Sequence, residues 1–422
     1  MAITIEEALK HVYENTTKKS LKILPIEQVL GMVLAEDIVA SHNLPPYDNS
    51  AMDGYAVKVN GAGKLVKVTH TIFAGDDSKE VLECGFGIKI MTGAKIPYGT
   101  GCIVPIEDVN LANTSESSQG TEVKNAHDIS YNITLPSNLE KNRHIRFCGE
   151  DIKKDTVFLA KGEIINAYTI ASLASQGITH VTVTRVIKVA IFGTGDELRP
   201  HFEKIEAHQL YNSNSPMFLA RSKELGCDVR FIRTSADTLE ALEASIKSTL
   251  DADIIITSGG VSVGDKDFTK EAFTNLGMQV HIDKIDIKPG RPTIVGSIGK
   301  TVIINLPGNP LASMVNYELF IRAIIRKMSG RNDHYHGNIE TTMKNDFSVR
   351  GGKHAVVLGK FDGKSFEPLK SQMPGMVSPM QEADGLILIT PDVKVLEAGK
   401  TVHMIPIKWE FTTSSQEELF TS

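Results

Sequence analysis

The chain has 422 residues, of which 41% are hydrophobic and 23% are charged, and its formal net charge is −6. Because a single hydrophobic core stops growing at about 250 to 300 residues, one domain is excluded, and the hydrophobic content excludes extensive disorder. The acidic charge balance provides no basic surface for the phosphates of nucleic acid, so we expect no nucleic acid partner.

The first residues predict a short amphipathic helix. Thr4 and Glu7 have the spacing of a capping box, and apolar residues then recur at helical intervals. The opening segment lacks the features of a signal peptide, and no run reaches the about 18 apolar residues that span a bilayer. We therefore expect a cytoplasmic location and no membrane partner. The four cysteines form no C-x-x-C pair, and we interpret them as reduced thiols.

Residues 44–56 (LPPYDNSAMDGYA) form the most unusual segment of the sequence. Two prolines followed by small and polar residues are not typical of a core strand. A rigid extended segment often serves recognition, although an interdomain linker is the alternative. Residues 57–140 contain short apolar runs broken by glycine turns, which predicts a separate β domain. Within it, residues 113–130 are polar, and we expect an exposed loop or hairpin tip there.

From about residue 187 the pattern changes to apolar runs separated by helical periodicity: VIKVAIFG, DVRFIRT, DADIIITSGG and KTVIINLPG. Strands buried on both faces have such continuous runs, so the region predicts a mostly parallel sheet in an α/β domain. After the last run, Asn309 can cap a helix that starts at Pro310 and continues to Gly330. Residues 331–422 return to short strands with glycine and proline turns, which predicts a small C-terminal β domain.

Glycine-containing segments follow three of these apolar runs, at residues 193–197 (GTGDE), 258–267 (SGGVSVGDKD) and 307–310 (PGNP). The carboxyl ends of parallel strands lie at one edge of a sheet, so these loops should converge. Glycines let backbone N–H groups approach an anion closely, and a helix N-terminus adds a favourable dipole. The three loops therefore predict a phosphate-binding site.

A basic cluster lies in residues 284–292 (KIDIKPGRP). The two-residue period of a strand places Lys284, Asp286 and Lys288 on one face. Basic side chains at a strand end can hold a phosphate or another oxyanion, whereas the alternative is a solvated strand face. The proline–glycine–proline frame favours a binding role, because it fixes the backbone where no structural need is evident.

Carboxylates accompany the basic residues, at Asp196, Glu197, Asp265 and Asp267. Mixed acidic and basic loops suit a phosphorylated ligand bound with Mg²⁺, which takes one or two carboxylates, water and phosphate oxygens as ligands. Helix capping is the alternative role of each aspartate. The histidines in residues 334–336 (HYH) have no third ligand, so we interpret them as solvated. No serine or cysteine lies in a recognisable nucleophile motif.

Seven segments carry a resemblance to a known family: LPPYDNSAMDGYA, IMTGAKIP, GEDI, GTGDEL, SGGVSVGDKD, IKPGRP and LPGNP. In content and order they resemble the MoeA family of molybdopterin molybdenumtransferases, which act in molybdenum cofactor biosynthesis and are similar to the gephyrin E domain. The resemblance covers nearly the whole chain. It implies a multidomain α/β plus β fold, with β-rich N-terminal domains, a central doubly wound α/β domain that binds molybdopterin, and a C-terminal β-barrel.

The resemblance also implies an elongated homodimer with four domains in each chain. Domain I, for dimerisation, comprises residues 1–45 and 141–186, and domain II is a β domain inserted at residues 46–140. Domain III, the α/β domain, comprises residues 187–330, and domain IV, the β-barrel, comprises residues 331–422. The implied reaction is Mg²⁺-dependent insertion of molybdate into adenylylated molybdopterin, with release of AMP. The implied protein partners are the pterin adenylyltransferase and proteins that mature molybdoenzymes.

Matching the family motifs residue by residue implies three overlapping groups of site residues. The catalytic group is Asp53, Thr92, Asp151, Glu197, Asp267, Lys284 and Lys288. The substrate-binding group is Gly259, Gly260, Ser262, Gly264, Pro289, Gly290, Arg291, Pro307, Gly308, Asn309 and Arg350. The implied Mg²⁺ ligands are Asp53, Glu197 and Asp267.

The chain departs from the family pattern at two positions. Where the family often has an acidic pair after the second α/β strand, this chain has Thr234 and Ser235, with Asp237 slightly later. The hydroxyl usually found near the start of the helix after LPGNP is displaced to Ser313, which we leave out of the site. Two other functions stay open: a non-catalytic pterin carrier, and a nucleotide pyrophosphatase similar to CinA, against which the DNSAMDGYA segment argues.

Overall fold

The computed structural model describes residues 2–111, 128–193, 197–233, 239–259 and 268–408. None of the helices in these ranges is long and apolar enough to cross a membrane. The α-helices within them are α1 (Ile5–Asn15), α2 (Ala167–Ser175), α3 (Asn214–Glu224), α4 (Leu239–Lys247), α5 (Phe268–Asn275), α6 (Pro310–Asn316), α7 (Arg322–Ser329) and α8 (Ser378–Glu382). A π-helical segment, Tyr317–Ile321, joins α6 to α7, and 3-10 turns span Ile26–Gln28, Val59–Gly61 and Ile106–Asp108.

The strands of the same residues are short, and most belong to two six-stranded sheets and a five-stranded barrel. In chain order they are β1 (Leu21–Pro25), β2 (Ile38–Val39), β3 (Asn49–Ser50), β4 (Gly54–Val57), β5 (Leu65–Ile72), β6 (Phe86–Ile90), β7 (Cys102–Pro105), β8 (Asn110–Leu111), β9 (Asp128–Thr134), β10 (Ile145–Arg146), β11 (Val157–Leu159), β12 (His180–Thr184), β13 (Lys188–Gly193), β14 (Leu198–Arg199), β15 (Leu210–Tyr211), β16 (Asp228–Arg233), β17 (Ile254–Ser258), β18 (Gln279–Ile282), β19 (Ile294–Ile298), β20 (Thr301–Leu306), β21 (Ile339–Met343), β22 (Phe347–Ser348), β23 (Ala355–Phe361), β24 (Ser365–Pro368), β25 (Gly385–Ile389), β26 (Val395–Leu396) and β27 (Thr401–Pro406).

The chain divides into two compact units, each with its own hydrophobic cores. Unit 1 comprises Met1–Glu36, Lys161–Asn166 and His180–Ser422. Unit 2 comprises Asp37–Ala160 and Ala167–Thr179. Because the backbone passes from one unit to the other more than once, neither unit is a single stretch of sequence. The boundaries of the four domains stay a prediction.

Helix α1 begins with the predicted capping box. The Glu7 N–H donates to the Thr4 hydroxyl at 3.1 Å, and the Thr4 N–H donates to the Glu7 carboxylate at 2.8 Å. These bonds satisfy donors that a helix N-terminus leaves unpaired. The buried face of α1, at Ile5, Ala8 and Val12, packs into the main core of unit 1.

The predicted α/β sheet lies in unit 1. Its six strands have the order β16-β13-β17-β20-β19-β18. The first four strands contain the four apolar runs and are parallel, whereas β19 and β18 are antiparallel to their neighbours. The prediction of a mostly parallel sheet is therefore confirmed. The order reverses direction between β13 and β17, and such a switch point opens a crevice at the carboxyl ends of the strands.

Helices cover both faces of this sheet, as the doubly wound fold requires. One core joins Ile191 and Ile256 with residues of α1, α3, α6 and α7, and the other joins Phe192 and Ile255 with residues of α4 and α5. Adjacent residues of a strand point to opposite faces, so the continuous Val and Ile runs fill both cores. Burial of each such side chain stabilises the fold by about 1.5–3 kcal/mol.

The helix predicted after LPGNP begins and ends where the sequence indicates. Pro310 is the first residue of α6, and Gly330 ends α7 in a left-handed conformation with a φ of 81°. Between them, Tyr317–Ile321 is π-helical, a feature that the apolar periodicity did not predict. Asn309 occupies the N-cap position, but its side chain makes no capping hydrogen bond. The position was predicted correctly, and the capping role was wrong.

The C-terminal region of unit 1 contains the predicted β-barrel. Its five strands close in the order β21-β24-β23-β25-β27. Its interior includes Phe366, Ile387 and Met404, which are nearly or fully buried. Closure pairs both edges of the sheet, so no backbone edge is left open in these strands.

A buried ion-pair network connects the helices to the last barrel strand. Glu318 binds Arg221 at 2.7 Å and Arg322 at 2.9 Å. The same arginines donate to the carbonyls of Ile407 and Pro406, each at 3.1 Å. Removal of one member from such a network leaves a buried charge without its partner, at a cost of about 3–5 kcal/mol. The network therefore holds α3, the π-helical segment and the barrel end in one arrangement.

Unit 2 contains the predicted β domain. Its six-stranded sheet has the order β7-β4-β6-β5-β9-β8, with a separate core on each face. Strand β4 lies between β6 and β7 and is fully buried, so the interpretation of residues 44–56 is wrong at its C-terminal end. Backbone pairing on both sides outweighs the polar residues that precede it. Of residues 113–130, only 128–130 lie in the described ranges, and they begin β9 instead of a loop.

Candidate functional site

The loops after β17 and β20 meet at the carboxyl edge of the α/β sheet. The Ser258 hydroxyl donates to the Pro307 carbonyl at 3.1 Å, and the Gly259 N–H donates to the Leu306 carbonyl at 3.1 Å. A Cβ on Gly308 would lie 3.6 Å from the Gly259 Cα, so the two glycines approach to van der Waals distance. The predicted convergence is confirmed for these two loops.

Asn214, the first residue of α3, joins these loops and was not among the predicted site residues. Its amide donates to the Ser258 hydroxyl at 2.7 Å and to the Gly308 carbonyl at 2.9 Å. The available signal was the polar run NSNS directly before a helix, but the two bonding partners are 44 and 94 residues away in sequence. Ser313, which sequence analysis left out of the site, is fully buried and donates to the Pro307 carbonyl.

Several predicted site residues lie outside the described ranges. They are Gly260, Ser262, Gly264 and Asp267, together with the carboxylates Asp196, Asp237 and Asp265.

Glu197 is the first described residue after residues 194–196. Its side chain is exposed and bonds to no described residue, while its carbonyl accepts the Leu210 N–H at 2.8 Å. The backbone of Glu197 is therefore anchored through β15, and its carboxylate is open to solvent. A carboxylate in this state is able to coordinate a cation.

Residues 284–288 do not form a strand, so that part of the prediction is wrong: the chain bends at Asp286, and the Ile287 N–H donates to the Ile285 carbonyl at 2.9 Å. Isolated bridges at Ile285 and Lys288 replace a continuous ladder, because the two bridges are made with different parts of the chain. The two-residue alternation is nevertheless present. Ile285 and Ile287 are buried, whereas Lys284 and Lys288 are exposed. The basic side chains therefore face solvent along one side of an anchored segment.

The basic side chains of this segment differ in their partners. Lys284 lies 3.9 Å from the Asp283 carboxylate, whereas Lys288 and Arg291 bond through their side chains to no described residue. Asp286, between the two lysines, pairs with His354 at 3.2 Å. Lys288 and Arg291 thus keep their charge available for an anion, and their charge-assisted hydrogen bonds would be strong ones.

The KPGRP segment turns at Gly290 and packs on α6. Pro289 follows a cis peptide bond, and Gly290 has a φ of 112°. A Cβ on Gly290 would overlap the Asn316 amide nitrogen, which donates to the Gly290 carbonyl at 3.3 Å and to the Ala312 carbonyl at 2.8 Å. Only glycine combines this backbone conformation with such a close approach. Since α6 starts directly after LPGNP, one helix holds both segments.

Two substrate-binding candidates of unit 1 have weaker geometric support. Asn309 is exposed at the start of α6. The first N–H of that helix that could bind an anion belongs to Leu311, because Pro310 has none, and it donates to the Pro374 carbonyl at 3.0 Å. Arg350 is exposed in the barrel region, and among the described residues no hydrogen bond or ion pair joins it to the loops at the sheet edge. The structure therefore brings together the glycine loops and the KPGRP segment, but not Arg350.

In unit 2, the structure joins Asp53 and Thr92. Asp53 precedes β4 and Thr92 follows β6, which are antiparallel neighbours, so both residues lie at one sheet edge. The Thr92 N–H and hydroxyl donate to the same Asp53 oxygen, at 2.7 Å and 2.8 Å. These bonds hold the pKa of Asp53 below its ordinary value, and the backbone bond has the larger effect. At Gly54, a Cβ would overlap the Val104 carbonyl, so glycine is required directly after Asp53.

Asp151 is the third candidate of unit 2. Its N–H donates to the Leu44 carbonyl at 3.0 Å, and the Cys148 N–H donates to the Asp48 carboxylate at 2.7 Å. The GEDI motif therefore lies beside the start of the LPPYDNSAMDGYA segment. The Asp151 side chain is exposed, and no hydrogen bond joins it to Asp53 or to any other described residue.

The interpretation of His334 and His336 as solvated is wrong for His336. Its Nε2 donates to the Leu319 carbonyl at 2.7 Å, and its Nδ1 lies 3.3 Å from the Arg322 guanidinium. Burial lowers the pKa of His336 to about 4, so the ring is neutral. Within the described ranges, no three His, Cys, Asp or Glu side chains cluster as a metal site requires. His336 has a structural role beside the π-helical segment.

Three family models match the chain in consecutive order. The MoeA N-terminal region (domain I and II) matches residues 3–177, the "Probable molybdopterin binding domain" matches residues 190–327, and the MoeA C-terminal region (domain IV) matches residues 341–407. A molybdopterin molybdenumtransferase of Staphylococcus epidermidis is 30% identical over 429 residues, which cover 99% of this chain and 98% of that protein. The chain belongs to the MoeA family.

Other MoeA relatives agree with this assignment. A molybdopterin molybdenumtransferase of Staphylococcus aureus is 29% identical over 430 residues, which cover 99% of this chain and 98% of that protein. A crystal structure of a MoeA molybdopterin biosynthesis protein from Pyrococcus horikoshii has a TM-score of 0.77 and 27% identity, covering 97% of this chain and 100% of that one. The multidomain MoeA-like fold that the motifs implied is therefore confirmed.

Proposed function

We propose that this MoeA-family chain is a molybdopterin molybdenumtransferase, which inserts molybdate into adenylylated molybdopterin and releases AMP. The two dithiolene sulfurs of the pterin bind molybdenum while one molybdate oxygen takes the two thiol protons and leaves as water. A water molecule hydrolyses the phosphoanhydride that joins the pterin phosphate to AMP. The relatives from Staphylococcus carry this transferase name. Both reacting groups are anionic, so the site has to supply cations and N–H donors where negative charge develops.

The observation that carries the proposal is the convergence of the glycine loops after β17 and β20 at the carboxyl edge of the α/β sheet, beside its switch point. Gly259 and Gly308 approach to van der Waals distance there, and α6 starts immediately after them. Glycine backbones at the end of a strand and the start of a helix are suited to phosphate groups. We assign Gly259, Gly260, Ser262, Gly264, Pro307, Gly308 and Asn309 to binding of the phosphorylated pterin.

The basic KPGRP segment is proposed to hold the incoming oxyanion. Gly290 fixes it on α6, while the side chains of Lys288 and Arg291 bond to no described residue. Lys288 and Arg291 would donate to molybdate, with Pro289 and Gly290 shaping the turn between them. Lys284, whose cationic group lies near Asp283, would act at a greater distance through its charge.

The carboxylates of Glu197 and Asp53 fit Mg²⁺ in their donor chemistry. Glu197 is exposed and bonds to no described residue, and Asp53 is held charged with one oxygen outside its bonds to Thr92. We propose Glu197, Asp53 and Asp267 as its ligands. When bound, Mg²⁺ would neutralise phosphoanhydride charge and favour departure of AMP. Thr92 would orient Asp53 through its two hydrogen bonds.

The remaining assignments rest on the family motifs. We propose that Asp151 and Arg350 contribute to the same reaction, that the chain is a cytoplasmic homodimer, and that it works beside a pterin adenylyltransferase and molybdoenzyme-maturation proteins. Exposed apolar side chains on β1 support the homodimer. Leu21 and Ile23 are 53% and 70% exposed, although β1 is paired with β12.

Release of AMP in the presence and absence of molybdate tests the proposed function. Purified protein is incubated with adenylylated molybdopterin and Mg²⁺, and AMP is measured by chromatography. We expect AMP release that requires molybdate. Equal release without molybdate would indicate a pyrophosphatase, and no release under either condition would indicate a pterin carrier. The Lys300→Ala variant, changed at an exposed turn before β20, serves as a control and should behave as the wild type.

A further inference from the structure

Asn214 connects the two glycine loops through a buried hydrogen-bond network. Its amide group donates to the Ser258 hydroxyl at 2.7 Å and to the Gly308 carbonyl at 2.9 Å. The Ser258 and Ser313 hydroxyls in turn both donate to the Pro307 carbonyl. Asn214 is 7% exposed, Ser258 3% and Ser313 0%, so water does not compete for these bonds.

The segment that carries Asn214 also reaches the third strand end. A Cβ on Gly193, the last residue of β13, would overlap the Asn212 amide nitrogen and lie 3.1 Å from the Ser215 hydroxyl. The Ser215 N–H donates to Asn212 at 3.0 Å, and the Asn212 amide donates to the Ser215 hydroxyl at 3.0 Å. Residues 212–215 therefore touch the carboxyl ends of β13 and β17 and the loop after β20.

The amide of Asn214 is better suited to this position than any other side-chain group of similar size. The NH₂ group faces three acceptors, the hydroxyl oxygens of Ser258 and Ser313 and the Gly308 carbonyl oxygen. A carboxylate in the same place would face the Gly308 carbonyl with like partial charge. The Asn214 carbonyl oxygen is buried and has no hydrogen-bond partner among the described residues. The contacts that hold this side chain are therefore those of its NH₂ group.

We propose that Asn214 is a positioning residue, which sets the distance between the Ser258–Gly259 and Pro307–Gly308 backbones at which a phosphorylated pterin fits. It acts through these loops and does not touch the reacting atoms. The inference rests on the proposed function, since it assumes that the loops bind the adenylylated pterin. It assigns a specificity role to a polar run that the family motifs used above do not include.

The test compares Asn214→Asp and Asn214→Ala with a control in the same sheet. Thr301, at the opposite end of β20, is 4% exposed, and its hydroxyl donates to the carbonyls of Leu250 and Ala252 at 3.1 Å and 2.9 Å. Thr301→Val also removes two buried hydrogen bonds, but at the edge remote from the loops. The KM for adenylylated molybdopterin, kcat, the melting temperature and amide hydrogen exchange of residues 254–259 and 306–311 are measured for each protein.

We expect both Asn214 variants to raise the KM for adenylylated molybdopterin about tenfold, with a smaller change in kcat. Amide exchange in the two loop segments should accelerate without ligand. Thr301→Val should lower the melting temperature by a similar amount and leave both the KM and the loop exchange unchanged. If the Asn214 variants only lower the melting temperature, as Thr301→Val does, Asn214 is a structural residue and the proposal is overturned.

Hydrogen exchange separates this proposal from the proposed function. If the wild type releases no AMP but loop exchange still accelerates in both Asn214 variants, the loops are positioned by Asn214 and the transferase assignment alone has failed. If the wild type is active and the variants change neither the KM nor loop exchange, the transferase assignment stands and the role of Asn214 is refuted.

Discussion

Only one oxygen of the Asp53 carboxylate accepts hydrogen bonds from Thr92. Both hydrogen bonds from Thr92 end on the same oxygen, one from the backbone and one from the hydroxyl. These bonds favour the charged form and therefore lower the pKa, with a smaller contribution from the nearby Lys89. The second oxygen takes no part in these bonds, and Asp53 is exposed, so this oxygen is available to a cation or a substrate group.

Thr92→Val should raise the pKa of Asp53 part of the way to its ordinary value. The backbone bond, which is the larger cause of the lowered pKa, is retained, and the hydroxyl bond is lost. The measurement is a carboxyl-carbon NMR titration of Asp53. Thr92→Ser keeps the hydroxyl and should keep the lowered pKa. An unchanged pKa in Thr92→Val would show that the hydroxyl bond has no influence on Asp53.

Lys288→Ala should raise the KM for molybdate by about tenfold or more, because one charge-assisted hydrogen bond to the oxyanion is lost. The KM for adenylylated molybdopterin should change much less. Lys300→Ala removes the same charge at the opposite edge of the same sheet and should leave both constants unchanged. An equal increase of both constants in Lys288→Ala would make Lys288 a general phosphate contact.

Sequence reasoning identified single residues where a short motif contains all of the chemistry. The motif KPGRP has two cations on a rigid turn, and in the structure neither Lys288 nor Arg291 bonds through its side chain to a described residue. Asn214 could not be identified in this way. Its role depends on Ser258 and Gly308, which become neighbours only when two strands and a helix have assembled.

At the scale of elements, the strands of the α/β sheet were predictable because their apolar runs are local and continuous. The capping box of α1 was predictable for the same reason. The KIDIKPG segment was not, because whether an alternating run becomes a strand depends on the neighbour it finds. Ile285 and Lys288 pair with different parts of the chain, so the segment makes two isolated bridges and no ladder.

The π-helical segment between α6 and α7 could not be predicted from the sequence either. In this segment the Leu319 carbonyl accepts a hydrogen bond from His336, in the chain after α7. Burial, with the positive charges of Arg322 and Arg326, lowers the pKa of His336 to about 4, while the bond to Leu319 acts in the opposite direction. The neutral ring is therefore part of the helix structure.

Because the His336 ring is neutral in the folded protein, we expect the protein to lose stability in acid. The folded-state pKa lies below the unfolded value of about 6.5, so protonation favours the unfolded chain. The free energy of unfolding should be unaffected above pH 6.5 and should fall by about 3 kcal/mol as the pH decreases from 6.5 to 4. Urea unfolding at a series of pH values measures this dependence.

His336→Gln is the matched variant for that experiment. It keeps an N–H donor for the Leu319 carbonyl but has no titration in this range. The difference in unfolding free energy between wild type and variant should therefore shrink steadily below pH 6.5. Parallel pH dependences of the two proteins would show that His336 is not the group responsible.

At the scale of the whole molecule, the homodimer is the most accessible prediction. Sedimentation should give about twice the chain mass of 46.1 kDa. Ile23→Lys should shift the protein toward monomers, because it places a charge on an exposed apolar strand, whereas Val395→Lys, at a 48% exposed position of the barrel region, should not. A wild-type protein that sediments at the chain mass would contradict the homodimer.

The order of the regions along the chain could be predicted because each region has a different pattern of apolar runs and turns. The division into two units could not be predicted in the same way. Unit 2 takes Ala167–Thr179 from beyond the Lys161–Asn166 segment of unit 1, and no local pattern marks these crossings. Tertiary contacts decide which unit a short segment joins.

The central claim is that hydrolysis of the adenylyl bond and insertion of molybdenum are one reaction. The most direct measurement is the amount of molybdenum bound in the isolated pterin product, by elemental analysis, against the AMP released in the same incubation. We expect equal molar amounts throughout the time course, and loss of both molybdenum insertion and AMP release in Lys288→Ala at low molybdate. AMP released without molybdenum in the product would contradict it.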